Sequence, residues 1–191
     1  MTKYIALDTE HGGFAKQSSL LTACFIIIDK DFNIVDKLNL AIKPDKDEPY
    51  YVTAEALSVN GINLVEHDKN AISKSIGAQS LIELLKKHTD NGKEKLTPLG
   101  HNVAHDLDFI DKTLLSKKNY SKYITYRVLD TGSIAQFLRF TGKIPETVSG
   151  SLGALAEHFG ISFEDRAHTA ESDTMMCIEV LKKMAVLQKG D

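Results

Sequence analysis

Two carboxylates end a short apolar segment near the start of the chain, residues 4–10 (YIALDTE). Side chains alternate faces along a β-strand, so Asp8 and Glu10 would share one face, roughly 7 Å apart. Like charges at a partly buried strand end repel each other, and a hard divalent cation such as Mg²⁺ would offset that repulsion. Taken alone, the segment fits a solvated strand end better, because Asp and Glu are common at such ends. It predicts a metal site only if further carboxylates join it.

Two aspartates interrupt the apolar faces of predicted helices. Asp106 lies on the stripe that begins at Val103 and ends at Leu114, and Asp173 lies four residues before Cys177 on the stripe of the last helix. The helix dipole favours an anion near a helix start by roughly 0.3–1 kcal/mol, which is less than the cost of burying an unpaired carboxylate. Helix capping or pairing with Lys or Arg is the alternative. Because two helices each place a carboxylate on an apolar face, we expect Asp106 and Asp173 to converge with Asp8 and Glu10.

A histidine near the last helix is a candidate proton acceptor. His168 precedes Asp173 by five residues, an offset of about 140° around a helix, so the two cannot share a helical face. We therefore expect His168 on the loop before the helix, above the same pocket. A lone histidine is more often structural, but a pKa near neutrality beside an inward aspartate favours a general base.

Three motifs together resemble the DEDDh family of 3′–5′ exonucleases, which includes proofreading exonuclease subunits and ribonuclease T. They are DTE at 8–10, GHNVAHDLDFI at 100–110 and HTAESD at 168–173, in the family order. The chain departs from the usual pattern twice. His105 replaces a phenylalanine, and His11-Gly12-Gly13 replaces the usual Thr- and Gly-containing run. Both departures lie beside the expected substrate end, so they bear on base preference more than on chemistry.

The resemblance implies an α/β protein with an RNase H-like fold, a mixed five-stranded sheet with helices on both faces. It also implies phosphodiester hydrolysis with two ions, Mg²⁺ or Mn²⁺, and release of nucleoside 5′-monophosphates. Asp8 would bridge the ions, Glu10 and Asp173 would complete the site that binds the attacking water, and Asp106 would help to hold the second ion. His168 would accept the proton. The predicted substrate contacts are His11, Gly12, Phe14, Leu57, His101 and Asn102.

The composition is that of an ordinary globular protein. The 191 residues are 42% hydrophobic and 26% charged, with a net charge of -3, which predicts one domain over 1–191 without general attraction to nucleic acid or membranes. Cys24 and Cys177 show no metal-binding or redox spacing, so we expect buried thiols in a reducing compartment. No signal peptide or apolar run of membrane length is apparent, which predicts a cytoplasmic protein.

Hydrophobic periodicity predicts an antiparallel three-strand unit followed by alternating helices and strands. The predicted strands are 4–10, 20–29, 33–43, 96–100 and 126–129, with a charged loop at 44–49. The predicted helices are 53–59, 71–88, 102–115, 131–140, 151–159 and a last helix from Thr169 or Ser172 to 187. Thr53, Asn102 and Ser151 are the predicted N-caps.

Three functions are compatible with these residues. The first is an active exonuclease on single-stranded or frayed 3′ ends of DNA or RNA, the second a subunit of a polymerase or repair complex that mainly binds, and the third an RNase H-like endonuclease. Five intact catalytic positions favour the first. A homodimer is left open. Seven basic residues against one acidic residue between 112 and 143 are either phosphate contacts or a solvated surface: Lys112, Lys117, Lys118, Lys122, Arg127, Arg139 and Lys143.

Overall fold

The computed structural model of the chain describes residues 3–15, 17–46, 48–162 and 168–187. Residue 47 of the predicted loop and both ends of the predicted domain lie outside them. The strands are β1 (Lys3–His11), β2 (Leu20–Asp29), β3 (Ile34–Lys43), β4 (Ile72–Ser73), β5 (Thr97–Gly100) and β6 (Leu129–Asp130). The helices are α1 (Ala54–Asn60), α2 (Leu64–Asn70), α3 (Lys74–His88), α4 (Ala104–Thr113), α5 (Lys117–Tyr120), α6 (Thr131–Phe140), α7 (Leu152–His158) and α8 (Ala170–Leu187).

The strands form one mixed sheet in the order β4-β3-β2-β1-β5-β6. β1 pairs antiparallel with β2 and parallel with β5, and β5 pairs parallel with β6. The carboxyl ends of β1, β5 and β6 therefore meet at one edge of the sheet. The predicted α/β fold with a mixed sheet is confirmed, but the sheet has six strands within the described residues and not five. The additional strand is β4, only two residues long, which pairs parallel with the end of β3.

Helices cover both faces of the sheet, as predicted. Ile5 and Leu7 of β1 face a core that also contains Leu85 of α3 and Ile110 of α4. Ala6, on the opposite face, packs in a second core with residues of α8. A third cluster joins α6 and α7 to the far side of α8. In the described part of the chain, no helix has both the length and the apolar character needed to cross a membrane.

The start of α4 differs from the predicted one. Asn102 was expected as its N-cap, but Asn102 has a left-handed backbone with φ of 57°, and the apolar Val103 occupies the cap position. The N–H group of Val103 instead donates to Oδ2 of Asp130 at 3.0 Å. Asp130 also caps α6, because its Oδ1 accepts from the N–H group of Ser133 at 2.8 Å. One carboxylate thus holds the starts of two helices together.

The predicted buried strand at 126–129 is wrong for most of its length. Only Leu129 and Asp130 pair with β5, and the side chain of Tyr126 is 81% exposed. Arg127 lies over the Tyr126 ring at 4.7 Å, an arrangement that suits a solvated aromatic ring. Local β-propensity therefore indicated a strand where the sheet offers no partner.

Most other element predictions are confirmed. The hydroxyl groups of Thr53 and Ser151 cap α1 and α7, and that of Thr169 accepts from the N–H group of Ser172 at the start of α8. α3 begins at Lys74 and is capped by Ser73, three residues later than predicted. The short helices α2 and α5 were not predicted.

Candidate active site

Three predicted carboxylates converge at the carboxyl end of β1. Asp8 and Glu10 project from the same face of this strand, toward the face that α8 covers. Asp173 lies in the first turn of α8. One carboxylate oxygen from each of the three residues lies within 4.8 Å of the others. The strand end and the helix start thus form the cluster that the sequence predicts.

The fourth carboxylate reaches this edge from α4, on the opposite face of the sheet. Asp106 lies in the first turn of α4 and is 5% exposed. Its Oδ1 accepts hydrogen bonds from the N–H group of Thr9 at 3.0 Å and from the Thr9 hydroxyl group at 2.7 Å. Both bonds end on Oδ1, so Oδ2 is the oxygen that can face a cation. Asp106 is buried on its helix stripe, as predicted.

The mutual repulsion of these groups appears in their pKa values. Burial, followed by the charges of Asp106, Asp173 and Glu10, raises the pKa of Asp8 to about 9. Burial and the charges of Asp173 and Asp106 raise the pKa of Glu10 to about 7. Burial also raises the pKa of Asp106, against the hydrogen bonds from Thr9, and that of Asp173, against the nearby His168. The cluster therefore holds negative charge that its own side chains do not neutralise.

A hard divalent cation fits this donor set. All four side chains offer carboxylate oxygens, which Mg²⁺ and Mn²⁺ prefer to nitrogen or sulfur. Such a cation would also favour the ionised form of each group, which burial disfavours. The chemistry and the spacing of the carboxylates thus agree with the predicted cofactor class.

His168 lies at the edge of the cluster, just before α8. Its Nδ1 is 3.5 Å from Oδ2 of Asp173, and its side chain is 65% exposed. The pair leaves Nε2 as the ring nitrogen on the solvent side, where a water molecule can reach it. This position agrees with the predicted loop placement above the carboxylates.

Two predicted substrate contacts follow β5. The imidazole of His101 is half-buried, and its Nδ1 lies 2.9 Å from the Thr131 hydroxyl oxygen. Burial lowers the pKa of His101, so the ring is held neutral. Asn102 is exposed at the start of α4. His101 is thus anchored to α6 beside the carboxylates, and Oδ1 of the exposed Asn102 also lies close to α6, where a Cβ atom at Gly132 would be 3.0 Å from it.

Gly12 and Leu57 lie where α1 joins the end of β1. The Gly12 carbonyl oxygen accepts from the N–H group of Thr53 at 2.8 Å. A Cβ atom at Gly12 would collide with the carbonyl oxygen of Tyr51, so the absence of a side chain is required for this close packing. Leu57 is half-buried on α1. Contact of these two residues with substrate stays a prediction.

His11 and Phe14 belong to an aromatic cluster with two residues of α4 that sequence reasoning did not assign. The His11 ring stacks on Phe109 at 4.2 Å with an interplanar angle of 6°. Phe14 packs edge-on against His11 at 5.4 Å and is 87% exposed. His105 contacts all three other rings. The sequence does indicate that His105 and Phe109 lie next to each other, since positions 105 and 109 share one helical face.

Metal-free stability should fall as pH rises between pH 7 and 8.5. Asp8 keeps its proton to a higher pH in the folded than in the unfolded protein, so the folded state binds more protons in this range. The free energy of unfolding then falls by up to about 1.4 kcal/mol per pH unit for one such proton. Thermal unfolding in EDTA should show the decrease, and Asp8→Asn should flatten it.

Other groups also titrate near this range, so the comparison with Asp8→Asn isolates the effect of Asp8. The raised pKa of Glu10, about 7, lowers stability over the lower part of the range. His11 and His101 have lowered pKa values, so their contribution rises with pH and levels off about one unit above the ordinary histidine pKa. Burial raises the pKa of Cys24 to about 11, so its thiol begins to lower stability where the unfolded thiol ionises, at the upper end of the range. A flat profile in EDTA, or an equal slope in Asp8→Asn, would contradict the assignment of repulsion to Asp8.

Comparison with known proteins agrees with the motif resemblance. A family model described as Exonuclease (RNase_T) matches residues 5–181, which is most of the chain. No curated protein matches the chain significantly. Solved structures with the same fold include E. coli Exonuclease I in complex with a dT13 oligonucleotide, at 18% identity and a TM-score of 0.75, covering 99% of this chain and 42% of that chain.

Two further structures show the same relation. The zinc-bound form of the E. coli ExoI–ssDNA complex is 20% identical with a TM-score of 0.76, and Exonuclease I from Methylocaldum szegediense is 17% identical with a TM-score of 0.73. Each match covers 100% of this chain and 42% of the other. These identities support the fold alone, and the chain spans less than half the length of these proteins. The match over residues 5–181 shows the family: the chain belongs to the exonuclease family and is a DEDD-type nuclease with an RNase H-like fold.

Proposed function

We propose that the chain is a metal-dependent 3′–5′ exonuclease that shortens single-stranded or frayed 3′ ends and releases nucleoside 5′-monophosphates. The observation that carries the proposal is the convergence of Asp8, Glu10 and Asp173 within 4.8 Å, with Asp106 fixed by Thr9 from the opposite face. His168 lies beside Asp173 and is open to solvent. Family membership supports the same chemistry.

The carboxylates would hold two divalent cations, Mg²⁺ or Mn²⁺. Glu10 and Asp173 would bind one, Asp106 the other, and Asp8 both. Cations in such a site polarise the phosphoryl oxygens and ease formation of the attacking nucleophile. The protein would present these oxygens from three rigid elements, β1, α4 and α8, so that little reorganisation accompanies the reaction.

His168 would accept the proton of the attacking water. Its Nδ1 faces Asp173, which orients the ring and stabilises the imidazolium form, and its Nε2 faces solvent. Asp173 is therefore proposed to have two roles, since it binds a cation and also positions the general base.

The substrate proposed is a single strand whose terminal base stacks on the aromatic cluster. Phe14 offers an almost fully exposed ring four residues after Glu10 along the chain, and base–aromatic stacking tolerates any sequence. Structural relatives are complexes with dT13 and with single-stranded DNA, which supports a single strand. Nothing in the described residues identifies a contact to the 2′-hydroxyl group, so DNA and RNA are both tested below.

Other predictions about the whole protein stay open. These are a single domain over 1–191, a cytoplasmic location, a homodimer, and participation in a polymerase or repair complex. Phosphate contacts from the basic residues at 112–143 are also predictions. In the structure, Lys112 pairs with Asp108, and Arg127 lies over Tyr126.

Hydrolysis should require a divalent cation. Oligomers of DNA and RNA with matched sequences and a 5′ label, incubated with the chain, should give a ladder of 3′-shortened products in Mg²⁺ or Mn²⁺. EDTA should abolish the ladder, because metal-free carboxylates repel a phosphate group. Gel electrophoresis measures the products. Hydrolysis that persists in EDTA would contradict the metal mechanism, internal cuts would indicate an endonuclease, and tight binding with negligible cleavage would favour the binding subunit.

Asp106→Asn and Asp173→Asn should each lose most activity yet fold at least as stably as the parent without metal. Each change keeps the shape of the side chain and removes a repelling charge. Asp108→Asn is the matched control, since Asp108 lies on α4 but pairs with Lys112 at the surface, where an ion pair contributes little. Denaturant unfolding in EDTA and initial rates in Mg²⁺ are the measurements. Loss of stability with retained specific activity would make the two aspartates structural.

His168→Ala should lower the rate of the chemical step by about 10²–10⁴-fold, the usual contribution of a general base. Because the carboxylates remain, metal-induced stabilisation and strand binding should stay close to those of the parent. Single-turnover rates across pH 5.5–8 measure the effect, and the variant should lose the rise in rate with pH that a general base produces. His158→Ala on α7 serves as a control. A variant within a few-fold of the parent would show that His168 is dispensable.

A further inference from the structure

A pair of imidazoles lies apart from the four carboxylates. Nε2 of His11 and Nε2 of His105 are 3.3 Å apart. The two ring centres are 5.2 Å apart, farther than the two nitrogens, so both nitrogens lie on the facing sides of their rings. The pair thus directs two nitrogen donors at one point.

The separation of the two nitrogens fits a tetrahedral cation. Zinc–imidazole bonds of about 2.0–2.1 Å at a tetrahedral angle place two ligand nitrogens roughly 3.3–3.4 Å apart. The observed 3.3 Å has this value, and it also allows a weak hydrogen bond when one of the two rings carries a proton on Nε2. The separation is therefore that of a chelating pair as well as that of a hydrogen-bonded pair, and Zn²⁺ binding distinguishes the two.

The rings that surround the pair hold the donors in place. Phe109 is buried, and the His11 ring stacks on it at 4.2 Å, which fixes the plane of that ring. Phe109 also contacts the His105 ring edge at 5.2 Å. Phe14 lies 5.4 Å from His11 and 6.0 Å from His105. Phe109 thus fixes the His11 ring from below, while the pair itself stays open to solvent, since His105 is exposed.

We propose that His11 and His105 form a second metal site, selective for a transition-metal cation of the Zn²⁺ class. Imidazole nitrogen suits Zn²⁺, whereas Mg²⁺ requires oxygen ligands. Within the described residues, Asp8, Glu10 and Asp173 are the only group of three metal-ligating side chains, so the pair has no third protein ligand there. Two coordination positions are therefore open to water or to a bound molecule. This proposal does not depend on the catalytic activity of the chain.

The site is tested by Zn²⁺ binding in a full-length, tag-free protein whose carboxylate site has been neutralised. The Asp8→Asn/Asp173→Asn variant should bind one Zn²⁺ in isothermal titration calorimetry and should bind no Mg²⁺. Added His105→Phe should weaken Zn²⁺ binding by at least about 10–100-fold, since even loss of an outer-shell partner has this effect. Phenylalanine is the residue that the family usually has at this position, so the fold should tolerate it.

Two further variants make the result decisive. His11→Gln in the same background removes the other donor and should give a comparable loss of Zn²⁺ affinity. His158→Phe is the matched control, because His158 is exposed, packs edge-on against Phe159 at 5.0 Å and has no contact with the pair; its Zn²⁺ affinity should equal that of the background variant. Circular dichroism checks the fold of each protein. Absence of Zn²⁺ binding in the background variant, or equal affinity with and without His105, would overturn the proposal.

Discussion

The arrangement of the candidate active site depends on the burial of like charges at the end of one strand. Two unit charges 4 Å apart repel by about 4 kcal/mol at an effective dielectric constant of 20, and the oxygens of Asp8, Glu10 and Asp173 lie at comparable separations. A hydrogen bond to a charged group contributes about 1.5–3 kcal/mol, so the two bonds from Thr9 offset only part of this repulsion at Asp106. The residual repulsion is relieved by a proton on Asp8, whose pKa is raised to about 9, or by a bound cation.

β1 keeps these like charges close together because neighbouring strands hold it on both sides. It pairs with β2 over its whole length and with β5 near its start, and its interior residues are buried. The alternation of side chains then divides the site between the two faces. The even positions, Asp8 and Glu10, turn toward α8 and Asp173. The odd positions, Thr9 and His11, turn toward α4, where Thr9 binds Asp106 and His11 stacks on Phe109.

Sequence reasoning predicted the parts of this site that depend on local periodicity. The apolar stripe of a helix faces the core, so a carboxylate on that stripe points inward. Asp106 and Asp173 could therefore be placed without a structure. Asn102 could not, because its residue type favours both a helix cap and a left-handed backbone, and only the distant Asp130 decides between them. The predictions for the exposed segment at 126–128 and for the two-residue β4 were wrong for a related reason. Pairing depends on neighbours that are far away in the sequence.

The aromatic cluster combines one face of β1 with one face of α4. Neither segment shows the chemistry of the cluster by itself. His105 was recognised in the sequence only as a departure from a family pattern, and His11 only as part of an unusual run after Glu10. Both departures meet in space, with their Nε2 atoms 3.3 Å apart. Asp8, Glu10 and Asp173 lie on the side of β1 that faces α8, whereas the imidazole pair lies on the side that faces α4. Because Mg²⁺ and Zn²⁺ differ in their preference for these donors, a single strand end can present two sites of different selectivity without either site competing for the other's ligands.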